Sequence, residues 1–498
     1  MRNLFAKAIS MESSHIFTEK GAKVYSTTGD GLLDLFANIG SLRSRSDEEI
    51  QEKFAKAYAE NPLLAMKMAF YARNVRGGLG ERHTFHVILK WLAENEPESL
   101  VGNLRFISYF GRWDSLYQLI GTPIEDYAWA TISHQLLEDI NKSHRGQPIS
   151  LLAKWLKSEN ASSAESKRLA LMTAKKLGLS PKQYRQTLSK LRAYIDVTEV
   201  KMSDNRWDEI EFAQVPSRAM SIYRNAFDRQ DPERFEDYKE SLLKGEVKIN
   251  ASTLYPYDIL EKAELDWDWS NRHSRHFTIN DDPILEAQWK ALPNYLEDPD
   301  DANFLVMADT SGSMTGRPMA TSIGLAIYFA ERNKGVFHNQ FMTFSSQPRF
   351  VGLKGGSLKE KVSCIESIVD STNLEAAFDL ILETLVRHNV PQKDSPKAVI
   401  VISDGEIDRF SDNAKHWTFL ASMKAKFAQQ GYLLPKVVMW NVESRADRFI
   451  DNIANPDIQF ISGSSTSAFK SLIRGENFTA EELMLDVLND PMYSMITV

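Results

Sequence analysis

Apolar residues recur every three to four positions through most of the first half of the chain, then give way to short unbroken apolar runs after residue 300. The first pattern predicts amphipathic helices and the second predicts strands buried on both faces. Helical spacing opens at Ser46-Asp-Glu-Glu49, a capping box ahead of Ile50, Phe54 and Tyr58, and Asn61-Pro62 closes that helix and caps the next. Further helices are predicted over 63–75, 82–94, 98–110, 113–120, 127–141, 150–157, 164–177 and 181–193, joined by short connections rich in Gly, Asn, Pro and Ser. Helices in such a series, with no strand pattern between them, predict an α-solenoid whose stacked pairs bury one continuous core.

Ahead of them, residues 1–45 carry turn signals such as Thr27-Thr-Gly-Asp-Gly31 and few periodic apolar positions before Leu32-Leu-Asp-Leu-Phe36, and read as a lead-in. Loops and helices alternate over 196–260 as a final helical group; 270–276 reads as a surface loop, 283–292 as a helix and 297–301 as an acidic turn. Strand patterns at 304–308, 340–344, 348–351, 398–402, 437–440 and 458–461 then interleave with helices near 319–332, 358–369, 374–388, 412–430 and 467–474. That alternation predicts a doubly wound α/β sheet. The expected organisation is a lead-in (1–45), a helical-repeat domain (46–300), an α/β domain (301–475) and a short helix with an apolar tail (476–498).

The buried run 304–308 ends abruptly in Asp309, Ser311 and Ser313, between the carboxyl end of a strand and the start of a helix. In open α/β sheets ligands bind there. Asp-x-Ser-x-Ser offers only oxygen donors, which suit Mg²⁺ or another divalent cation. Alone, the same residues are equally a helix amino cap. Two later loops supply further oxygens, Thr372 in Asp370-Ser-Thr-Asn-Leu374 and Asp404 in Ile402-Ser-Asp-Gly-Glu406. With these in the expected order, the set resembles the metal-ion-dependent adhesion site of a von Willebrand factor A domain.

Composition narrows the classes. An apolar share of 43% in 498 residues is ample for large cores, and Cys364, the single cysteine, rules out an internal disulfide or a Cys-based zinc site. Nothing approaches the roughly 20 apolar residues needed to cross a bilayer, and the amino-terminal residues lack a signal core, so a cytoplasmic protein without a membrane partner is expected. The net charge of −8 argues weakly against a generic nucleic-acid binder, and no DNA partner is expected, yet residues 151–200 hold ten Lys and Arg against four Asp and Glu.

That basic stretch adjoins three motifs. Tyr71 to His83 places three glycines among Arg73, Arg76 and Arg82, either an anion-binding loop or a glycine helix stop with solvated arginines. Phe106-Ile-Ser-Tyr-Phe-Gly-Arg-Trp-Asp-Ser-Leu116 reads as structural, with Arg112 and Asp114 a local ion pair. Lys154, Trp155 and Lys157, followed by Lys167, Arg168, Lys175, Lys176, Lys182 and Arg185, mix aromatics with cations, which suits stacking on bases and neutralising phosphates; a solvated helix face has the same composition.

The order of Arg-Gly-Gly-x-Gly-Glu-Arg, Tyr-Phe-Gly-Arg-Trp-Asp, Lys-Trp-Leu-x-Ser-Glu-Asn and Leu-Ser-Pro-Lys-Gln-Tyr-Arg, ahead of an A domain, resembles the TROVE-plus-A-domain architecture of the Ro autoantigen family. The resemblance implies a ring of HEAT-like repeats closed by the A domain, binding small noncoding RNA on a basic rim and single-stranded ends in its hole. Residues 201–300 are acidic and depart from that pattern. No nucleophile–base pair, paired catalytic carboxylates or cofactor loop is recognisable, so a non-enzymatic RNA scaffold is expected. The alternative is an interaction module whose metal captures a protein partner's carboxylate.

Overall fold

The apolar run that ends in Asp309 becomes the middle of a six-stranded sheet. The computed structural model describes residues 15–17, 23–267, 276–296, 303–334, 336–344, 347–366, 372–407, 419–445, 447–450, 455–466 and 478–498. Two small antiparallel pairs precede the sheet, β1 (His15–Phe17) with β2 (Lys23–Tyr25) and β3 (Asp266–Trp267) with β4 (Phe277–Thr278). The sheet contains β5 (Phe304–Asp309), β6 (Gln340–Phe344), β7 (Arg349–Gly352), β8 (Ala398–Ser403), β9 (Lys436–Asn441) and β10 (Ile458–Ser462). Their spatial order is β10-β9-β8-β5-β6-β7, with every pair parallel except β7 on β6. Every residue of β5 is buried, as a strand covered on both faces requires. The chain leaves β5 toward β6 and returns on its other side at β8, so the carboxyl ends of β5 and β8 flank a topological switch point.

The helix after β5, Arg317–Arg332, is buried without a break from Pro318 to Ala330. A sheet-flanking helix ordinarily keeps a polar outer stripe. This one is covered on its outer side by the helix Pro256–Lys262 from the helical part; a Cβ on Gly324 would lie 2.9 Å from the Pro256 Cβ.

The helical part follows the apolar spacing closely where caps are strong. Ser46 and Ser180 form capping boxes for Asp47–Glu60 and Pro181–Tyr194, and Asn61 caps Pro62–Arg73. His83–Asn95, Glu125–His144 and Ala164–Lys176 also form as single helices. Elsewhere the structure departs from the expectation. The helix expected over 98–110 is split into Pro97–Val101, the 3₁₀ turn Leu104–Phe106 and Ile107–Phe110. Asn103 causes the break, since its side-chain amide donates to the carbonyls of Ser99 and Thr497 at 2.7 Å each. The segment 113–120 is 3₁₀ rather than α, over Trp113–Leu119, and the helix expected over 150–157 is only Leu152–Trp155. A smaller core of Ile210, Phe212, Met220, Phe227, Phe235 and Tyr238 holds the later helices Ser217–Gln230 and Pro232–Lys244. The helix expected over 467–474, the acidic turn at 297–301, most of the loop at 270–276 and the start of the helix expected over 412–430 lie outside the described residues.

The stretch expected as a lead-in contains the helix Gly31–Asn38, almost wholly buried and packed against β10. Gly40 lies so close to the sheet edge that a Cβ there would stand 2.7 Å from the Ser462 carbonyl. Beside it, Arg43 donates to the carbonyls of Gly40 (3.0 Å) and Val442 (2.9 Å) and to the carboxylates of Glu81 (2.8 Å) and Glu443 (3.1 Å). Farther along the chain, Lys67, Asn74 and Asn103 hydrogen-bond Asn489, Tyr493 and Thr497 from its last residues. The helical part thus meets the α/β part through its early and its late helices, and Tyr255 approaches the loop that follows Pro62–Arg73. The Tyr255 hydroxyl reaches the Val75 carbonyl at 3.5 Å and sits over Gly80, whose φ of +70° no bulky residue would adopt there.

Gly40→Val should therefore cost about 1–3 kcal/mol by overpacking the sheet edge. Arg43→Ala should cost roughly 3 kcal/mol or more, because Glu81 and Glu443 are left buried without their cation. Urea unfolding of the full chain measures both.

Candidate functional site

The loops after β5 and β8 meet at the switch point, and two short runs of hydrogen bonds hold the residues of the expected metal set. In the first, Asp309 accepts from the Ser311 N–H at 2.9 Å through Oδ1 and from the Ser403 hydroxyl at 2.8 Å through Oδ2. The Ser311 and Ser313 hydroxyls are 3.0 Å apart. In the second, the Glu406 N–H donates to Asp404 Oδ1 at 3.1 Å, and the Thr372 hydroxyl donates to the Glu406 carbonyl at 2.5 Å. Asp309, Ser311, Thr372 and Asp404 are buried, Ser313 is half-buried and Gly312 is exposed. Asp370 and Ser371, which precede Thr372, lie outside the described residues.

Electrostatics join the two runs. Burial first, and then the charge of Asp404, push the Asp309 carboxyl up to about 7. Two buried carboxylates that feel each other's charge, flanked by hydroxyl oxygens, form an all-oxygen donor set that fits a hard divalent cation. Among the described residues no group of three or more His, Cys, Asp or Glu side chains forms a metal cluster; the set here has two carboxylates and three hydroxyls.

Three neighbours lie outside the set expected from sequence. Ser403 fixes Asp309 and is visible in Ile402-Ser-Asp-Gly-Glu406. Arg448 forms an ion pair with the buried Glu406, and the Arg445 guanidinium donates to the Ser313 carbonyl at 2.6 Å. No spacing rule connects those arginines to loops more than 40 and 130 positions away in the chain.

The cations read as an RNA surface divide into classes. Arg76, Arg82, Lys167, Arg168, Lys175, Lys176, Lys182 and Arg185 are exposed, while Lys154 and Lys157 are half-buried. Several are paired: Arg168 with Glu165 (2.7 Å), Lys176 with Glu125 (3.1 Å) and Asp126 (3.2 Å), Arg185 with Glu159 (2.5 Å) and Lys154 with Glu199 (3.4 Å). Lys167, Lys175 and Lys182 form no salt bridge among the described residues. Arg73 corrects the surface reading, being only 2% exposed. Gly111 permits this, since a Cβ there would stand 2.6 Å from the Arg73 Nε.

Because Asp309 is raised, the folded chain keeps a proton that the unfolded chain has already lost. Its contribution to stability is full below about pH 4 and is lost as pH rises through about 7. Mg²⁺ should reverse that loss, raising the melting temperature more at about pH 8 than at about pH 5.5, where protons compete. Asp309→Asn should abolish the Mg²⁺ increment and leave the metal-free chain at least as stable at the higher pH, which calorimetry with and without Mg²⁺ reads directly.

Sequence comparison covers almost the whole chain. One family, described as a domain of unknown function (DUF2828), matches residues 18–146 and 134–300. A second, also described as a domain of unknown function (DUF7788), matches residues 303–492. An uncharacterized protein, L728, of Acanthamoeba polyphaga mimivirus is similar at 27% identity over 512 residues, spanning 95% of this chain and 87% of the viral one. Among the described residues no helix is long and apolar enough to cross a membrane.

Proposed function

We propose, for a chain that belongs to the DUF2828 family of domains of unknown function, a non-catalytic RNA-binding scaffold of the Ro type. In this reading the helical part is a closed array of HEAT-like repeats, the α/β part is a von Willebrand factor A-like domain, and the ligand is small noncoding or misfolded RNA in the cytoplasm. The observation that carries it is the display of cations on two successive helices, Ala164–Lys176 and Pro181–Tyr194. There Lys167, Lys175 and Lys182 are exposed without a salt bridge among the described residues, and Tyr194 is exposed at the end of the second helix. Exposed lysines and an exposed aromatic ring on one pair of helices suit a strand whose phosphates are neutralised while a base stacks.

The closed array is supported by the hydrogen bonds and close approaches at both ends of the helical part. A repeat array held that way presents its outer helix faces as one rim. In this reading the rim and the metal site act independently.

Asp309, Ser311, Ser313, Thr372 and Asp404 would hold Mg²⁺ in the A-like domain. When bound, the cation would neutralise the two carboxylates and supply Lewis acidity toward an oxygen ligand. The chain's own groups prepare the site: Ser403 orients Asp309, the Glu406 N–H holds Asp404, and Arg448 anchors Glu406.

Replacing Lys167, Arg168, Lys175 and Lys176 by Glu should weaken binding of single-stranded RNA and flatten its salt dependence, by about 0.7 in slope for each phosphate no longer neutralised. Lys167 and Lys175 should account for most of the change, because Arg168 and Lys176 are already paired. Fluorescence anisotropy across a salt series gives the slopes, and the Mg²⁺ effect on melting should be unaltered. A parent that binds no RNA at any salt would transfer the lead to the protein-interaction reading, in which the metal captures a partner's carboxylate.

A further inference from the structure

A cluster of cations around Asp114 lies apart from the metal residues and carries more positive charge than its carboxylate can balance. The Asp114 side chain is 1% exposed. It is bound by Arg112 through Nε at 3.0 Å and again through Nη2, by Arg82 Nη2 at 3.2 Å and by Lys157 Nζ at 3.6 Å. No other salt bridge of these three cations is present among the described residues. Each of them keeps an outward side, with Arg82 half exposed and Arg112 and Lys157 about a third exposed.

A fourth cation lies beneath them. The buried Arg73 packs its guanidinium against Gly111, and its Nε is buried without a hydrogen-bond partner. Burial first, then Arg112 and Arg82, lower the Arg73 pKa to about 10, so it stays charged at neutral pH. His86, hydrogen-bonded to the Ser115 hydroxyl at 3.0 Å, is lowered to about 3 by burial and by Arg82 and stays neutral. Four charged side chains therefore face one carboxylate.

An ion-pair network that served stability alone would place carboxylates among such cations, because uncompensated buried charge is costly. Here the excess is held in place. Arg112 stacks on the Trp155 ring with its Cζ 3.8 Å from the centroid while gripping Asp114 with two nitrogens, so its remaining donors have a fixed direction. Fixed guanidiniums with spare forked donors match the oxygens of a phosphate group.

We propose that Arg73, Arg82, Arg112 and Lys157 form a binding site for one phosphate group, with Asp114 the partial counter-charge that the phosphate supplements. The phosphate comes either from the end of an RNA strand or from a free small phosphate, and the site does not depend on RNA binding at the helix faces of 164–194. The first probe is inorganic phosphate, titrated calorimetrically into the full chain against sodium chloride of matched ionic strength. Saturable binding is expected, weakened about tenfold or more by Arg112→Gln, which removes a charge-assisted hydrogen bond to the anion. Asp114→Asn removes the competing negative charge, so phosphate should bind it more tightly and raise its melting temperature more than that of the parent. A network that is only structural would lose stability in this variant with no response to phosphate beyond that to chloride. Should Asp114→Asn fail to fold, the parent and Arg112→Gln titrations decide. Short oligoribonucleotides then separate the sources. A 5′-phosphorylated strand that displaces inorganic phosphate, where its 5′-hydroxyl twin does not, assigns the site to RNA ends. Phosphate binding that neither strand disturbs assigns it to a free phosphate. Parent protein that takes up phosphate no differently from chloride overturns the site, and it does so whether or not RNA binds elsewhere.

Discussion

The guanidinium of Arg43 fixes how the two halves of the chain meet. It reaches the turn after the first buried helix, the loop at Glu81, the loop after β9 at Val442 and Glu443, and Ser464 beyond β10. Its side chain is 15% exposed, so these are desolvated pairings in which removal of either partner is expensive. The close approach of Gly40 to Ser462 and of Gly324 to Pro256 brings the backbones within reach of such pairings at two separate places. One continuous apolar core consequently runs from the first helices through the sheet to the last residues.

This arrangement sets the surroundings of the residues at the switch point. The helix that starts beyond Ser313 is covered by the helical part, and Arg317 at its first turn stacks on Tyr257 with its Cζ 4.1 Å from the ring centroid. The loop bearing Asp309, Ser311 and Ser313 is thereby supported from both sides, by the sheet through Ser403 and by the helical part through Arg317. The Asp309 carboxyl is thereby held buried where it feels the charge of Asp404, with its proton affinity raised.

What can be read from the sequence follows the range over which each interaction acts. The run from Phe304 is legible because a strand buried on both faces must be continuously apolar, and Thr372 and Asp404 because each sits at a strand end or helix start with a local signature. The helix Gly31–Asn38 reads as a lead-in since its short apolar run has no neighbour nearby, and its partner strand begins at Ile458. Arg43 and Arg448 give no signal, because a charge says nothing about a carboxylate elsewhere in the chain. Arg73 reads as an exposed cation for the same reason; its burial depends on the missing side chain of Gly111, which is remote in sequence. The break within 98–110 depends on Asn103 meeting Thr497, which no helical periodicity contains.

Photo-crosslinking reports where RNA lies on the protein as well as whether it binds. A uridine-rich single strand would be irradiated with the full chain and the adducts mapped by peptide mass spectrometry. Adducts are expected between residues 105 and 194, where Tyr109, Tyr127 and Tyr194 are exposed. An absence of adducts, or adducts confined to the α/β part beyond residue 303, would contradict it.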